Sequence, residues 1–160
     1  MKTIEIVTTL AVYETVKELP EDIQQLMKSA FSARDNAYAP YSNFYVGAAI
    51  LMDNGEIITG SNQENAAYPS GLCAERTAIY YAGAKYPKSG IKTMAISAKA
   101  SKKGMTNPVP PCGACRQAIA EYEVKQKQPI ALYFMGDSGQ VFKSESLENL
   151  LPLLFTQDYL

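Results

Sequence analysis

The 160-residue sequence predicts an α/β protein, a three-layer α/β/α arrangement around a central mixed sheet of about five strands. Three observations carry this expectation. Stretches with strand character alternate with stretches of helical periodicity, and an Asp53-Asn54-Gly55 turn joins two extended runs into a hairpin. No repeat, low-complexity tract or linker divides the chain, so residues 1–160 read as one domain. With 47% hydrophobic and 19% charged residues, a chain of this length can bury a substantial core.

Taken in order, residues 1–19 are an N-terminal extension that reads as a strand, because Ile4, Ile6, Leu10 and Val12 share one face. Pro20, Glu21 and Asp22 then open a helix with apolar positions at Ile23, Leu26, Met27, Ala30 and Phe31. Proline and acids suit the free N–H groups of a first turn. Pro40, Ser42 and Asn43 mark a loop. The hairpin strands are Val46–Met52 and Glu56–Thr59. Residues 60–72 form a loop rich in Gly, Asn, Pro and Ser. Cys73–Lys85 reads as a helix stopped by Pro87, and Met94–Ala98 as a buried strand. A Lys/Gly/Pro loop over 101–111 leads into a helix over Gly113–Tyr122. Strands over Pro129–Met135 and Gln140–Phe142 flank Gly136-Asp137-Ser138-Gly139, and a short helix near Glu145–Leu151 precedes the tail.

Composition excludes several functions. A net charge of −1 provides no general attraction to phosphate backbones or anionic membranes, so no nucleic-acid partner is expected. Lys102, Lys103, Lys125 and Lys127 could gather into a local basic patch, although solvated lysines are the plainer reading. Glu5 interrupts any apolar signal core, and the longest apolar run, Val46–Met52, is too short to span a bilayer. A cytoplasmic protein without a membrane partner is therefore expected. The chain has no histidine, which removes His-based triads and His-ligated metal sites. Its three cysteines, an odd number without a secretion signal, point to thiolates used for metal binding or chemistry.

Cys112-Gly113-Ala114-Cys115 places two sulfurs on one side of a helix start, where the helix N-terminus favours the thiolate form. Such a pair also occurs in redox proteins of the thioredoxin type. Cys73, at another predicted helix start, supplies a third thiol, and Glu75 follows two residues later. Three protein ligands leave one position of a tetrahedral Zn²⁺ open for water, whose pKa falls to about 7 on the metal. A nearby carboxylate is needed to carry protons, and Glu75 is placed to do so without serving as a ligand.

The segments Cys73-Ala74-Glu75-Arg76-Thr77-Ala78 and Pro111-Cys112-Gly113-Ala114-Cys115-Arg116-Gln117 resemble the two zinc motifs of the small, homotetrameric-type cytidine deaminases. Tyr41-Ser42-Asn43-Phe44-Tyr45-Val46-Gly47-Ala48-Ala49 and Gly60-Ser61-Asn62-Gln63-Glu64-Asn65-Ala66 are similar to that family's substrate segments. The similarity runs from about the first helix to Phe155. Tyr45 and Pro110 stand where proline and serine are frequent, and the first twenty residues have no clear counterpart.

This resemblance implies a cytidine deaminase-like fold and hydrolytic deamination of cytidine or deoxycytidine to the uridine nucleoside and ammonia, in pyrimidine salvage. It implies Zn²⁺ on Cys73, Cys112 and Cys115, with Glu75 moving the protons. Asn62 and Glu64 would bond the ribose 3′-hydroxyl, Phe44 would pack on the pyrimidine, and the Ala74 backbone N–H would meet the base carbonyl. Arg76 would donate to the zinc thiolates. Phe155 would cover the substrate of a neighbouring subunit, which implies a homotetramer with shared active sites. A deaminase acting inside RNA or DNA, and a non-catalytic zinc-stabilised module, are the rival readings. The net charge weighs against the first, and the intact Glu75 against the second.

Overall fold

A computed structural model describes residues 1–100 and 104–160. Lys102 and Lys103, half of the basic patch considered above, lie outside the described residues. The elements run β1 (Ala11–Tyr13), α1 (Glu21–Arg34), β2 (Phe44–Met52), β3 (Ile57–Ser61), α2 (Ala74–Lys85), β4 (Ile91–Ala100), α3 (Gly113–Gln126), β5 (Ala131–Met135) and β6 (Val141–Ser144).

Among the described residues the strands form one mixed sheet in the order β1-β6-β5-β4-β2-β3. The β2–β3 hairpin turns through Gly55, whose φ of 86° suits a residue without a Cβ. Strands β4 and β5 pair in parallel, and α3 forms the crossover that a parallel pair requires.

The sheet separates two cores. On one face α1 lays Leu26, Met27 and Ala30 against Ala49, Ala95, Tyr133 and Met135. On the other, Ala78, Ile79 and Ala82 of α2 and Ile119 and Ala120 of α3 pack on Ala48, Ile50, Ile96, Leu132 and Phe134. Adjacent residues such as Ala48 and Ala49 therefore serve opposite faces, as strand geometry dictates. The three-layer α/β/α expectation holds, with one long helix on one side and two on the other.

Two glycines let the layers meet at backbone distance. A Cβ on Gly60 would lie 2.6 Å from the Ala78 nitrogen and 2.7 Å from the Ala74 oxygen of α2. One on Gly47 would lie 2.0 Å from the Ala30 oxygen of α1.

Some elements differ from the sequence expectation. The sheet has six strands rather than about five. The N-terminal extension forms the strand expected of it, β1, but over Ala11–Tyr13 only. Its partner β6 is four residues long, so the ladder reaches only from Ala11 to Tyr13 and leaves Ile4 and Ile6 exposed. The helix expected near Glu145–Leu151 is a single 3₁₀ turn, Glu148–Leu150. Glu123 of α3 accepts from the N–H groups of Leu147 and Glu148 at its start, and Pro152 prevents its continuation. Helix α3 runs one turn past Tyr122 to Gln126 and is capped by Lys127, in a left-handed conformation with φ 55°.

Candidate active site

Helices α2 and α3 lie side by side on the same face of the sheet, and their N-terminal ends carry the three thiols. Cys73 is the N-cap of α2, with extended φ −72° and ψ 156°. Cys112 is the N-cap of α3, with φ −67° and ψ 167°. Cys115 sits one turn into α3 and is fully buried, whereas Cys112 is exposed and Cys73 half-buried. The N-cap and the third helical residue share one side of a helix start, which aims Cys112 and Cys115 at a common point.

All three sulfurs lie within 4.8 Å of one another, and Cys73 Sγ is 3.9 Å from Cys112 Sγ. That separation is far beyond a disulfide bond of about 2.05 Å. It matches the roughly 3.8 Å edge of a tetrahedron built on Zn–S bonds of about 2.3 Å.

The electrostatics call for a cation. The Cys73 thiol is pushed down to about 5, chiefly because Cys115 donates a hydrogen bond to its thiolate, with Arg76 also contributing. Cys115 is in turn pushed up by that bond to Cys73 and by burial. One sulfur ionises at the expense of its neighbour, and a divalent ion among them removes the conflict by stabilising all three thiolates. The cluster therefore fits zinc, with Cys73, Cys112 and Cys115 as the residues to hold it. Arg76 adds positive charge from Nη2, 3.6 Å from Cys73 Sγ.

Glu75 is only 5% exposed, and burial pushes its carboxyl up to about 7. It nevertheless lines a cavity of about 640 Å³, together with Cys73, Cys112, Phe44, Asn62 and Glu64. That volume falls within the range of small-molecule sites, roughly 300–1,000 Å³.

The residues named from sequence sort as follows. Cys73, Cys112, Glu75, Arg76, Phe44, Asn62 and Glu64 line this cavity, and Cys115 is buried behind it with its sulfur in the thiol cluster. Ala74 is buried behind it as the first residue of α2, where helix geometry leaves the backbone N–H without an intrahelical partner. Phe155 stands apart from the cavity wall, 58% exposed and stacked on Tyr159 at 5.7 Å.

Asn62 is more constrained than a loop asparagine, since its Oδ1 accepts from the Val46 N–H at 2.8 Å and its Nδ2 donates to the Phe44 carbonyl at 2.9 Å. Glu64 accepts from the N–H groups of Tyr41 and Ser42 and from the Ser42 hydroxyl. These bonds, that from the Ser42 hydroxyl foremost, hold its carboxyl below the usual carboxylate range. The sequence reading missed Ser42 in this role, and it missed Tyr68 and Val109 in the cavity wall. Their residue types carry no chemical signal of their own.

A sheet flanked by helices whose N-termini converge on one thiol cluster, beside a buried carboxyl, defines a single-metal hydrolytic centre. The chain belongs to the cytidine and deoxycytidylate deaminase family, whose zinc-binding region it matches over residues 20–129. It is 44% identical to a cytidine deaminase of Halalkalibacterium halodurans over 137 residues, covering 86% of this chain and 96% of that one. It is 39% identical to a cytidine deaminase of Sporosarcina psychrophila over 138 residues, covering 86% and 93%. The crystal structure of cytidine deaminase from Burkholderia pseudomallei superposes with a TM-score of 0.73 at 36% identity, covering 86% of this chain and all of that one. Among the described residues, no helix is long and apolar enough to cross a membrane.

Proposed function

We propose that this chain deaminates free cytidine and deoxycytidine hydrolytically, giving the uridine nucleoside and ammonia, in cytoplasmic pyrimidine salvage. We further propose that residues 1–160 act as one domain within a homotetramer. The observation that carries the reading is Glu75, a buried carboxyl opening onto a nucleoside-sized cavity beside three clustered thiols. Zinc, when bound by Cys73, Cys112 and Cys115, supplies Lewis acidity that makes water a competent nucleophile at neutral pH.

Glu75 takes a proton from the attacking water and delivers protons to the pyrimidine, so that the amino group leaves as ammonia. Burial raises this carboxyl above the usual carboxylate range, the direction that suits both accepting and donating at neutral pH. Phe44 packs on the base, and the Ala74 N–H at the start of α2 donates to the base carbonyl.

Asn62 and Glu64 receive the ribose. Although both are already bonded to the β2 region, an amide oxygen has two lone pairs and a carboxylate about four acceptor positions. Each can therefore also accept from the free 3′-hydroxyl. A hydroxyl blocked by a following phosphate cannot donate in this way, which favours a free nucleoside over an internal nucleotide.

The test is Glu75→Gln. It preserves shape and removes the proton carrier, so turnover of cytidine should fall by about 10²–10⁴ or more while zinc content stays at the parent level. Near-normal turnover in the zinc-loaded variant removes Glu75 from this role. Cytidine, deoxycytidine, cytidine monophosphate and a short RNA, offered separately, define the substrate class.

A further inference from the structure

Arg116 and Gln117 follow Cys115 directly on α3, and the chemistry above uses neither. Arg116 spans two segments. Its Nε donates to the Pro111 carbonyl at 2.8 Å, immediately before Cys112, and its Nη1 donates to the Leu150 carbonyl at 2.7 Å. Gln117 donates from Nε2 to the Phe155 carbonyl at 3.0 Å.

We propose that Arg116 and Gln117 are positioning residues that clasp the C-terminal tail 150–155 onto the metal-ligating helix, so that Phe155 is placed by the same element that carries Cys115. This rests on the reading of Phe155 as a cap over substrate.

The tail needs such a clasp. Between the 3₁₀ turn ending at Leu150 and the one starting at Gln157 it has no regular structure. Leu154 packs partly against the core, but Leu153 is 89% exposed and Phe155 58%. Leu153 also holds a φ of 60°, a left-handed conformation that a branched side chain keeps only where its surroundings impose it. The two clasped carbonyls, Leu150 and Phe155, bracket this residue. Arginine suits the first contact because its fork presents donors in two directions from one rigid plane, whereas a lysine ammonium is a single point on a flexible stem.

The chain contains no tryptophan, so Phe155→Trp creates a single fluorescent reporter in the tail. In that background, zinc-loaded protein carrying Gln117→Glu, which keeps the shape but presents no donor at neutral pH, is compared with protein carrying Arg116→Lys. Quenching by acrylamide should rise about two-fold in each, because an unclasped tail opens to solvent. In chains that retain Phe155, the same substitutions should raise KM for cytidine about five-fold, the value of one hydrogen bond, with kcat nearly unchanged. Quenching at the parent level in a zinc-loaded variant overturns the clasp. Raised quenching with unchanged KM supports the clasp and overturns the capping role of Phe155 instead. If Arg116→Lys loses zinc, Gln117→Glu alone decides.

Discussion

Glu75 and Arg76 are neighbours of opposite charge for which different tasks are proposed, and the first turn of α2 carries both. Glu75 is buried and Arg76 reaches back to Cys73 Sγ, while the Arg76 Nε is buried without a partner among the described residues. Three thiolates around a dication leave one net negative charge, which the guanidinium offsets. Arg76→Gln should therefore lower activity about 10–100-fold while the fold and most of the zinc remain. Parallel metal analysis and rate measurements check this, and an unchanged rate across neutral pH makes Arg76 a bystander.

At this scale the sequence was informative where one turn of helix holds the chemistry. Cys73, Glu75 and Arg76 fall within four residues, as do Cys112 and Cys115, so covalent spacing alone brings each set together. It was silent where partners come from afar. Asn62 bonds residues 16 and 18 positions away, and Arg116 reaches 34 positions to Leu150. Glycine, asparagine and arginine in loops or on helices have too many uses for such contacts to be read without the fold.

Helices α2 and α3 place the thiols only because the sheet lets them close in, and Gly60 sets that approach for α2. Gly60→Ala forces β3 and α2 apart, since both colliding atoms belong to the α2 backbone. Overpacking of this kind costs about 1–3 kcal/mol, which corresponds to a melting temperature lower by roughly 3–10 °C in a chain of this size. Gly104→Ala, where a Cβ meets nothing within 4 Å among the described residues, is the matched control. Equal melting curves for the two variants would show that α2 is not seated by this contact.

Helix and hairpin positions were legible because amphipathic spacing and Asp53-Asn54-Gly55 are local signals. The short 3₁₀ turn at Glu148–Leu150 and the length of β1 were not. Each is set by what lies opposite, Glu123 in one case and the short β6 in the other.

For the whole molecule, the separation of Phe155 from its own cavity makes sharing between subunits testable by mixing. On the proposed roles, Glu75→Gln chains lack the proton carrier and Phe155→Ala chains lack the cap, so each alone should be nearly inactive. After subunit exchange, a site that combines an intact Glu75 with a neighbour's Phe155 is whole, and activity should return. No recovery after confirmed exchange, or a stable active monomer by light scattering, excludes a shared site. The fold class was readable at this level from periodicity, whereas the tetramer is expected only from the family resemblance. Sheet and helix periodicities are written into each segment, whereas exposed tail residues such as Leu153 and Phe155 acquire meaning only from what covers them.

The pairing of β1 with β6 also bears on how the chain comes to be made. Val12 meets Phe142, so once β1 is made roughly 130 further residues must follow before its partner exists. At about 5–20 residues per second this delay lasts on the order of 6–26 seconds. Throughout it, a nascent arm carrying Ile4, Ile6, Val7 and Val12 has no edge on which to dock, and such apolar, strand-prone segments invite pairing between chains. Lys2 and Glu5 interrupt the arm with charge, which discourages that association. The centre formed by α2 and α3 lies wholly within the interval, so the cysteines are translated before the sheet gains its outermost strand. The extension is thus made early but docks late, on a fold whose thiol-bearing helices are already synthesised when β6 appears.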